Sequence, residues 1–221
     1  MNASRLNCEG RRTMKRARFL GVLLGLSALS LSTNALAGQV FNVHVRDLAA
    51  RAAFFSVDPS GVETDVFLFV ARERVQIPPS LKSSGPFAFV EIVKFDTTQC
   101  FSLLMDAFGL VNLADQDFQI DRQLASATLN PITIPVTDFV SGTSFDLNVA
   151  MSWTGQGDST RSKDRNQFRI PGFSAYFRFD GVFRSATVSG SISDGITDFA
   201  SLPLAFADLA SVKTGEIDLS H

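Results

Sequence analysis

The residues best suited to chemistry cluster in one polar stretch, Gly155 to Gln167 (GQGDSTRSKDRNQ), which carries Arg161, Lys163 and Arg165 against Asp158 and Asp164. Polar segments of this kind form loops at the ends of β domains, where partners bind. A basic tip on an acidic chain attracts anions. Arg161, Lys163 and Arg165 are therefore the candidate binding residues. The expected partner is a protein or an anionic glycan bearing sulfate or phosphate.

Other chemistries fit less well, and no catalytic residue is assigned. A hydrolytic nucleophile needs a base beside it. Beyond residue 37 the chain has only His44 and His221, and no Gly-x-Ser-x-Gly elbow. His44 alternates with apolar neighbours and reads as a solvated strand histidine. Zinc needs clustered Cys and His. Calcium needs six to eight converging oxygens. Asp115, Asp117 and Asp121, and Asp194 and Asp198 around Gly195, match no calcium-loop spacing and read as turn acids. No metal or cofactor is expected. Paired carboxylates hydrolyse glycosides, but 17 of the 21 acids beyond residue 37 are Asp, so chance pairs are easy. Trp153 shares the parity of Phe145 and Leu147 and reads as core. Cys100, the one cysteine beyond residue 37, sits in an apolar stretch and reads as a buried, inert thiol.

The elements that position these residues follow an export signal. Lys15, Arg16 and Arg18 precede a 14-residue apolar run, Phe19 to Ser32, and Ala35-Leu36-Ala37 stands before Gly38. A basic region, a short apolar core and a small-x-small site make a signal-peptide helix cleaved near Ala37-Gly38. The run is shorter than the roughly 20 residues a spanning helix needs. Residues 1–13 read as an extension before a natural start at Met14. The expected organisation is residues 1–37 as signal and 38–221 as one domain, secreted or periplasmic, with no transmembrane anchor after cleavage.

Cleavage leaves 14 basic and 21 acidic residues, a net charge of −7. An acidic surface repels phosphate backbones, so nucleic acid is not an expected partner.

Period-two alternation dominates the rest. Phe41, Val43 and Val45 alternate with polar residues, as do Phe145 through Trp153 and Phe173 through Phe179. The run Val66–Ala71 is apolar throughout and reads as a central strand. Asp58-Pro59-Ser60-Gly61, a loop from Pro78-Pro79 through Ser83-Ser84-Gly85-Pro86, Pro171-Gly172 and Asp194-Gly195 punctuate the pattern. The expected fold is all-β, a mainly antiparallel β-sandwich. Two segments, Phe101–Leu113 and Phe199–Leu209, fit either strand or short helix.

Twenty Phe lie beyond residue 37, beside one Trp and one Tyr. They read as a two-sheet core of inward-facing rings, each contributing about 1.5–3 kcal/mol by burial. Phe118–Leu129 (FQIDRQLASATL) resembles Phe177–Val188 (FRFDGVFRSATV) at an offset of 59, Thr137-Asp138-Phe139 matches Thr197-Asp198-Phe199, and Phe87-Ala88-Phe89 can be laid on Phe145-Asp146-Leu147. The sandwich is thus expected to contain two related halves. The functional expectation is an exported non-catalytic protein, binding or structural, at the cell envelope or outside the cell. The alternatives are a secreted carboxylate-dependent hydrolase and a small outer-membrane barrel, for which one Trp and one Tyr make poor interface girdles.

Overall fold

The computed structural model describes residues 44–77, 80–170 and 173–215. The leader, its cleavage site and His221 lie outside the described residues. Within them no helix is long and apolar enough to cross a membrane. Among the described residues the chain is all-β, with antiparallel pairing throughout.

Ten strands form: β1 (His44–Val57), β2 (Val62–Ile77), β3 (Ser80–Asp96), β4 (Ser102–Asn112), β5 (Phe118–Ile120), β6 (Ser126–Asp138), β7 (Ser144–Gly155), β8 (Thr160–Ile170), β9 (Phe173–Ser193) and β10 (Leu204–Thr214). Both ambiguous segments are largely strand: β4 fills the first, and a 3-10 turn at Phe199–Ser201 precedes β10 in the second. Strands β10, β1, β2, β3, β4, β6, β7 and β9 pair in that order, and β9 pairs back onto β10. The expected sandwich is therefore corrected to a closed barrel. Its facing layers are opposite walls of one sheet, and closure removes the free edges a sandwich would keep. Two strands sit outside the ring: the three-residue β5 pairs with β6, and the 11-residue β8 pairs with β9.

The interior is aliphatic. Leu68 and Val70 on β2, Val90 and Ile92 on β3, Ile134 on β6, Leu147, Val149 and Met151 on β7, and Leu209 on β10 are fully buried in one cluster. Trp153 joins them, and its indole N–H donates to the Arg51 carbonyl at 2.9 Å. An eight-stranded barrel is just wide enough to be filled by side chains of this size.

Most of the described rings lie on the other face. Phe54, Phe118 and Phe199 enter the core. Phe67 and Phe69, Phe87 and Phe89, Phe108 and Phe206 alternate with the interior residues and pack against one another on the outer wall, at centroid distances of 5.1–6.1 Å. The reading of a Phe-filled interior is corrected accordingly. Val66–Ala71 is continuous because its aliphatics face the barrel interior while Phe67 and Phe69 join the external ring cluster. The opposite arc is polar outside: Thr128, Asn130 and Thr133 on β6, and Asp146, Asn148 and Thr154 on β7, are exposed.

The two related halves are not found. Phe118–Leu129 is a hairpin, with β5 paired back onto β6. Phe177–Val188 is part of the single strand β9. Phe89 faces outward, whereas Leu147, aligned with it, is in the core. The Thr-Asp-Phe coincidence has a local cause. Asp138 Oδ1 accepts from Val140 N and Asp198 Oδ1 from Ala200 N, the same side-chain turn at two unrelated places.

Strand β9 runs through Gly181 without a break. A Cβ there would stand 2.6 Å from the Phe183 ring and 2.8 Å from that of Phe179. The glycine makes room for these two stacked rings rather than for a turn.

Candidate anion-binding face

Residues 160–170 form β8, so the expected 155–167 loop is reduced to the connection 156–159. This corrects the loop assignment of Arg161, Lys163 and Arg165. It also explains their spacing. Residues two apart on a strand share a face, and all three project from one side of β8.

That side continues the barrel interior. Directly paired residues in antiparallel strands share a face. Lys163 pairs with Asp180 on β9, Asp180 with Lys213 on β10, Lys213 with Arg46 on β1, and Arg46 with Arg74 on β2. One row of five charged residues thus crosses five strands. The next row inward runs Arg161, Val182, Ser211, Leu48, Arg72. On the outward side Arg165 faces Arg178. By parity these rows lie on the face that carries Ala50 and Ala52 on β1 and Leu209 on β10, which are core residues.

Asp180, Lys213, Arg46 and Arg74 of the row border two adjoining cavities at this end of the barrel, whereas Arg161, Lys163 and Arg165 line neither. One, of about 510 Å³, is lined by Arg46, Leu48, Arg72, Arg74, Gln119, Ile120, Arg122, Ser211 and Lys213, with Asp47 and Val212 also at its border. The other, of about 400 Å³, is lined by His44, Val45, Arg46, Arg178, Asp180, Lys213, Thr214 and Gly215. Barrel mouths are a common place for ligand sites.

Two contacts organise the face. Arg161 makes a two-pronged pair with Asp180, Nε to Oδ1 at 2.9 Å and Nη2 to Oδ2 at 2.6 Å. The Arg161 hydrogen bond, then the charges of Arg161, Lys163 and Arg178, hold the Asp180 carboxyl below the usual carboxylate range. Arg72 donates to the carbonyls of Asp115 at 3.0 Å and Phe118 at 2.9 Å. It thereby pins β5 and its approach over one side of the larger cavity. The β5–β6 turn is built by Asp121, whose Oδ2 accepts from Gln123 N and Ala125 N.

The sequence named three of these cations and missed Arg46, Arg72, Arg74, Arg122, Arg178 and Lys213. The missed residues come from five distant segments, and only barrel closure brings them onto one face. Nine of the 14 basic residues beyond residue 37 belong to this set.

The other candidates fall into structural roles. Asp117, Asp121, Asp194 and Asp198 all accept backbone N–H groups in turns. Among the described residues no group of three or more His, Cys, Asp or Glu is placed to hold a metal. His44 is exposed at the start of β1. Cys100 is exposed, which corrects the buried-thiol reading. It sits at φ 54° in the β3–β4 turn, where Asp96 Oδ1 accepts from Thr98 N and Gln99 N. The Asp-Thr-Thr turn chemistry outweighs the apolar neighbours.

Carboxylates with raised pKa lie outside the cationic rows. Burial, then Glu73, pushes Asp47 up to about 7. Burial, then Glu63, pushes Asp65 up to about 6. Burial, then Asp106 and Asp65, raises Glu91. Asp47 alternates with Arg46 and Leu48, which places it on the opposite sheet face from the cations.

No family model matches the sequence, and no curated protein matches it. Among solved structures, the chain is similar to the enduracididine biosynthesis enzyme MppR complexed with the condensation product of pyruvate and imidazole 4-carboxaldehyde. The match is 10% identical, covers 87% of this chain and 93% of that one, and has a TM-score of 0.24. A likeness at that score carries no argument about either fold or function.

Proposed function

We propose that this is an exported, non-catalytic binding protein that takes an anionic ligand at the open end of its barrel. The observation that carries the reading is the row Lys163, Asp180, Lys213, Arg46, Arg74. Like charges directly opposite in a sheet are destabilising. Arg46 faces Lys213 on one side and Arg74 on the other. A row that costs stability without a ligand and gains from one is expected of a binding face. Charge on the edge strand β8 also protects against unwanted pairing. That explanation does not extend to Arg46, Arg74 and Lys213, which lie on strands paired on both sides.

Two observations weigh against the alternatives. Of the carboxylates of raised pKa, Asp65 and Glu91 are neighbours but line neither cavity, and Asp47 is the one at a cavity border, whereas a glycoside hydrolase needs two carboxylates flanking its sugar site. The exposed polar arc of β6 and β7 is unlike the apolar outer band of a membrane barrel.

The test is retention of the purified protein on a heparin column at low salt. The reading expects retention that is lost in Arg46→Gln/Lys213→Gln and kept in Lys94→Gln, whose lysine lies over the Phe199 ring at the other barrel end. Flow-through of the unaltered protein at low salt would overturn it.

A further inference from the structure

We infer that the ligand is a compact diphosphate, free or as the ester of a small non-aromatic body, held in the one cavity where Arg46, Arg72, Arg74, Arg122 and Lys213 meet. The inference rests on the anion-binding reading above and goes on to the size and chemical class of the ligand.

The first argument is convergence. Arg46, Arg72, Arg74 and Lys213 come from the adjoining strands β1, β2 and β10 and line one side of the cavity of about 510 Å³. Gln119 and Ile120 of β5, with Arg122 from the turn that follows, line another. The Arg72 hydrogen bonds to the Asp115 and Phe118 carbonyls hold β5 there. Positive charge thus comes from the barrel wall and from the β5–β6 turn, and an anion between them is met by both.

The second argument is an orphaned donor. Arg72 Nε is buried with no hydrogen-bond partner among the described residues. Buried polar atoms are nearly always bonded, and a phosphate oxygen is the acceptor that would complete this one. The other such atom, Asp47 Oδ1, lies on the far face of β1. It belongs to the only acid at the cavity border, a carboxyl that burial, then Glu73, pushes up to about 7.

The third argument is charge. Among the described residues the only salt bridge these five cations make is Arg72 with Asp115, at 3.6 Å. Five cations and one paired carboxylate leave four positive charges when Asp47 is protonated. One phosphate group carries about −1.5 to −2 and offers three acceptor oxygens. Two adjoining groups match the set, and their oxygens suit guanidinium forks.

The rest of the lining limits what the phosphates can carry. Leu48, Ile120 and Val212 are its apolar members, and no Phe, Tyr or Trp is among them. A nucleobase would find no ring to stack on.

The experiment is calorimetric titration of the purified protein with sodium pyrophosphate, with orthophosphate, citrate and heparin octasaccharide as comparison probes. Pyrophosphate is expected to bind one to one, about tenfold or more tighter than orthophosphate or citrate. Arg74→Gln and Arg122→Gln should each weaken it about tenfold. Lys163→Gln/Arg165→Gln, whose residues line neither cavity, should leave it unchanged. Orthophosphate bound as tightly would overturn the diphosphate, and citrate bound as tightly would overturn the phosphate class. Full pyrophosphate affinity in both folded single variants would overturn the placement in this cavity. Octasaccharide binding that is lost in Arg46→Gln/Lys213→Gln, with pyrophosphate unbound, would overturn the compact ligand and leave the anion-binding reading standing. Binding of none of the four probes would sink that reading as well.

Discussion

Arg46 on β1 and Lys213 on β10 stand directly opposite each other on the inner side of the sheet, with no acid between them. Two cations in that position repel at close range, and Arg74 flanks Arg46 on its other side. The fold tolerates this arrangement because these side chains are exposed at the barrel end and water screens them.

The repulsion predicts a gain in stability when it is removed. Arg46→Gln should raise the unfolding free energy by about 0.5 kcal/mol, the usual size of a cross-strand charge effect. Chemical denaturation at low salt checks this, and the gain should shrink as salt is added. An unchanged or lowered stability at low salt would count against the facing-cation geometry.

The indole hydrogen bond of Trp153 ties β7 to β1 across the interior, at 2.9 Å to the Arg51 carbonyl. Trp153→Phe keeps a ring but leaves that carbonyl without its side-chain partner and opens space in a close-packed core. A loss of about 2–3 kcal/mol is expected. Equilibrium urea unfolding reads it directly.

Asp47 titrates near 7, above its ordinary value of 3.8, because burial and then Glu73 disfavour its charged form. The folded state therefore binds this proton more tightly than the unfolded state. Stability from this group is full below the unfolded value and is lost as pH rises through about 7. Asp47→Asn should flatten that decline and gain about 2 kcal/mol at about pH 8. A pH series of unfolding midpoints for both proteins tests it, and parallel curves would contradict it.

The Arg161–Asp180 pair predicts the opposite slope. Asp180 is held low chiefly by the Arg161 hydrogen bond. Its contribution is present above the ordinary carboxylate range and is lost as pH falls through its folded value. In Arg161→Gln the Asp180 carboxyl should titrate nearer its ordinary range, as followed by NMR of the side-chain carbon. The stability gap between the two proteins should close as pH drops from about 7 to about 3.

Much of the strand content was legible because alternation is a local property. Phe145 to Trp153 reads as a strand with one buried face, and β7 has that pattern. What failed was punctuation and charge. Pro78-Pro79 through Pro86 reads as a loop, yet β3 begins at Ser80. Strand β8 has few apolar residues to alternate, so a search for hydrophobic period two passes over it, although Arg161, Lys163 and Arg165 keep the period in charge. Cys100 was misjudged because its apolar neighbours outvoted the turn-forming Asp96-Thr97-Thr98.

By itself the sequence determined the all-β class, the two-faced alternation of β7, and Arg161, Lys163 and Arg165 as residues of one basic segment. These follow from residue type and from spacings of two, which act within a single strand. Tertiary structure alone decided that the sheet closes, that most of the described phenyl rings lie outside it, and that Lys163, Lys213, Arg46 and Arg74 share a row. Period two says that a strand has two faces and leaves open which one is enclosed. Only the return of β9 onto β10 makes one face the interior and brings distant cations side by side.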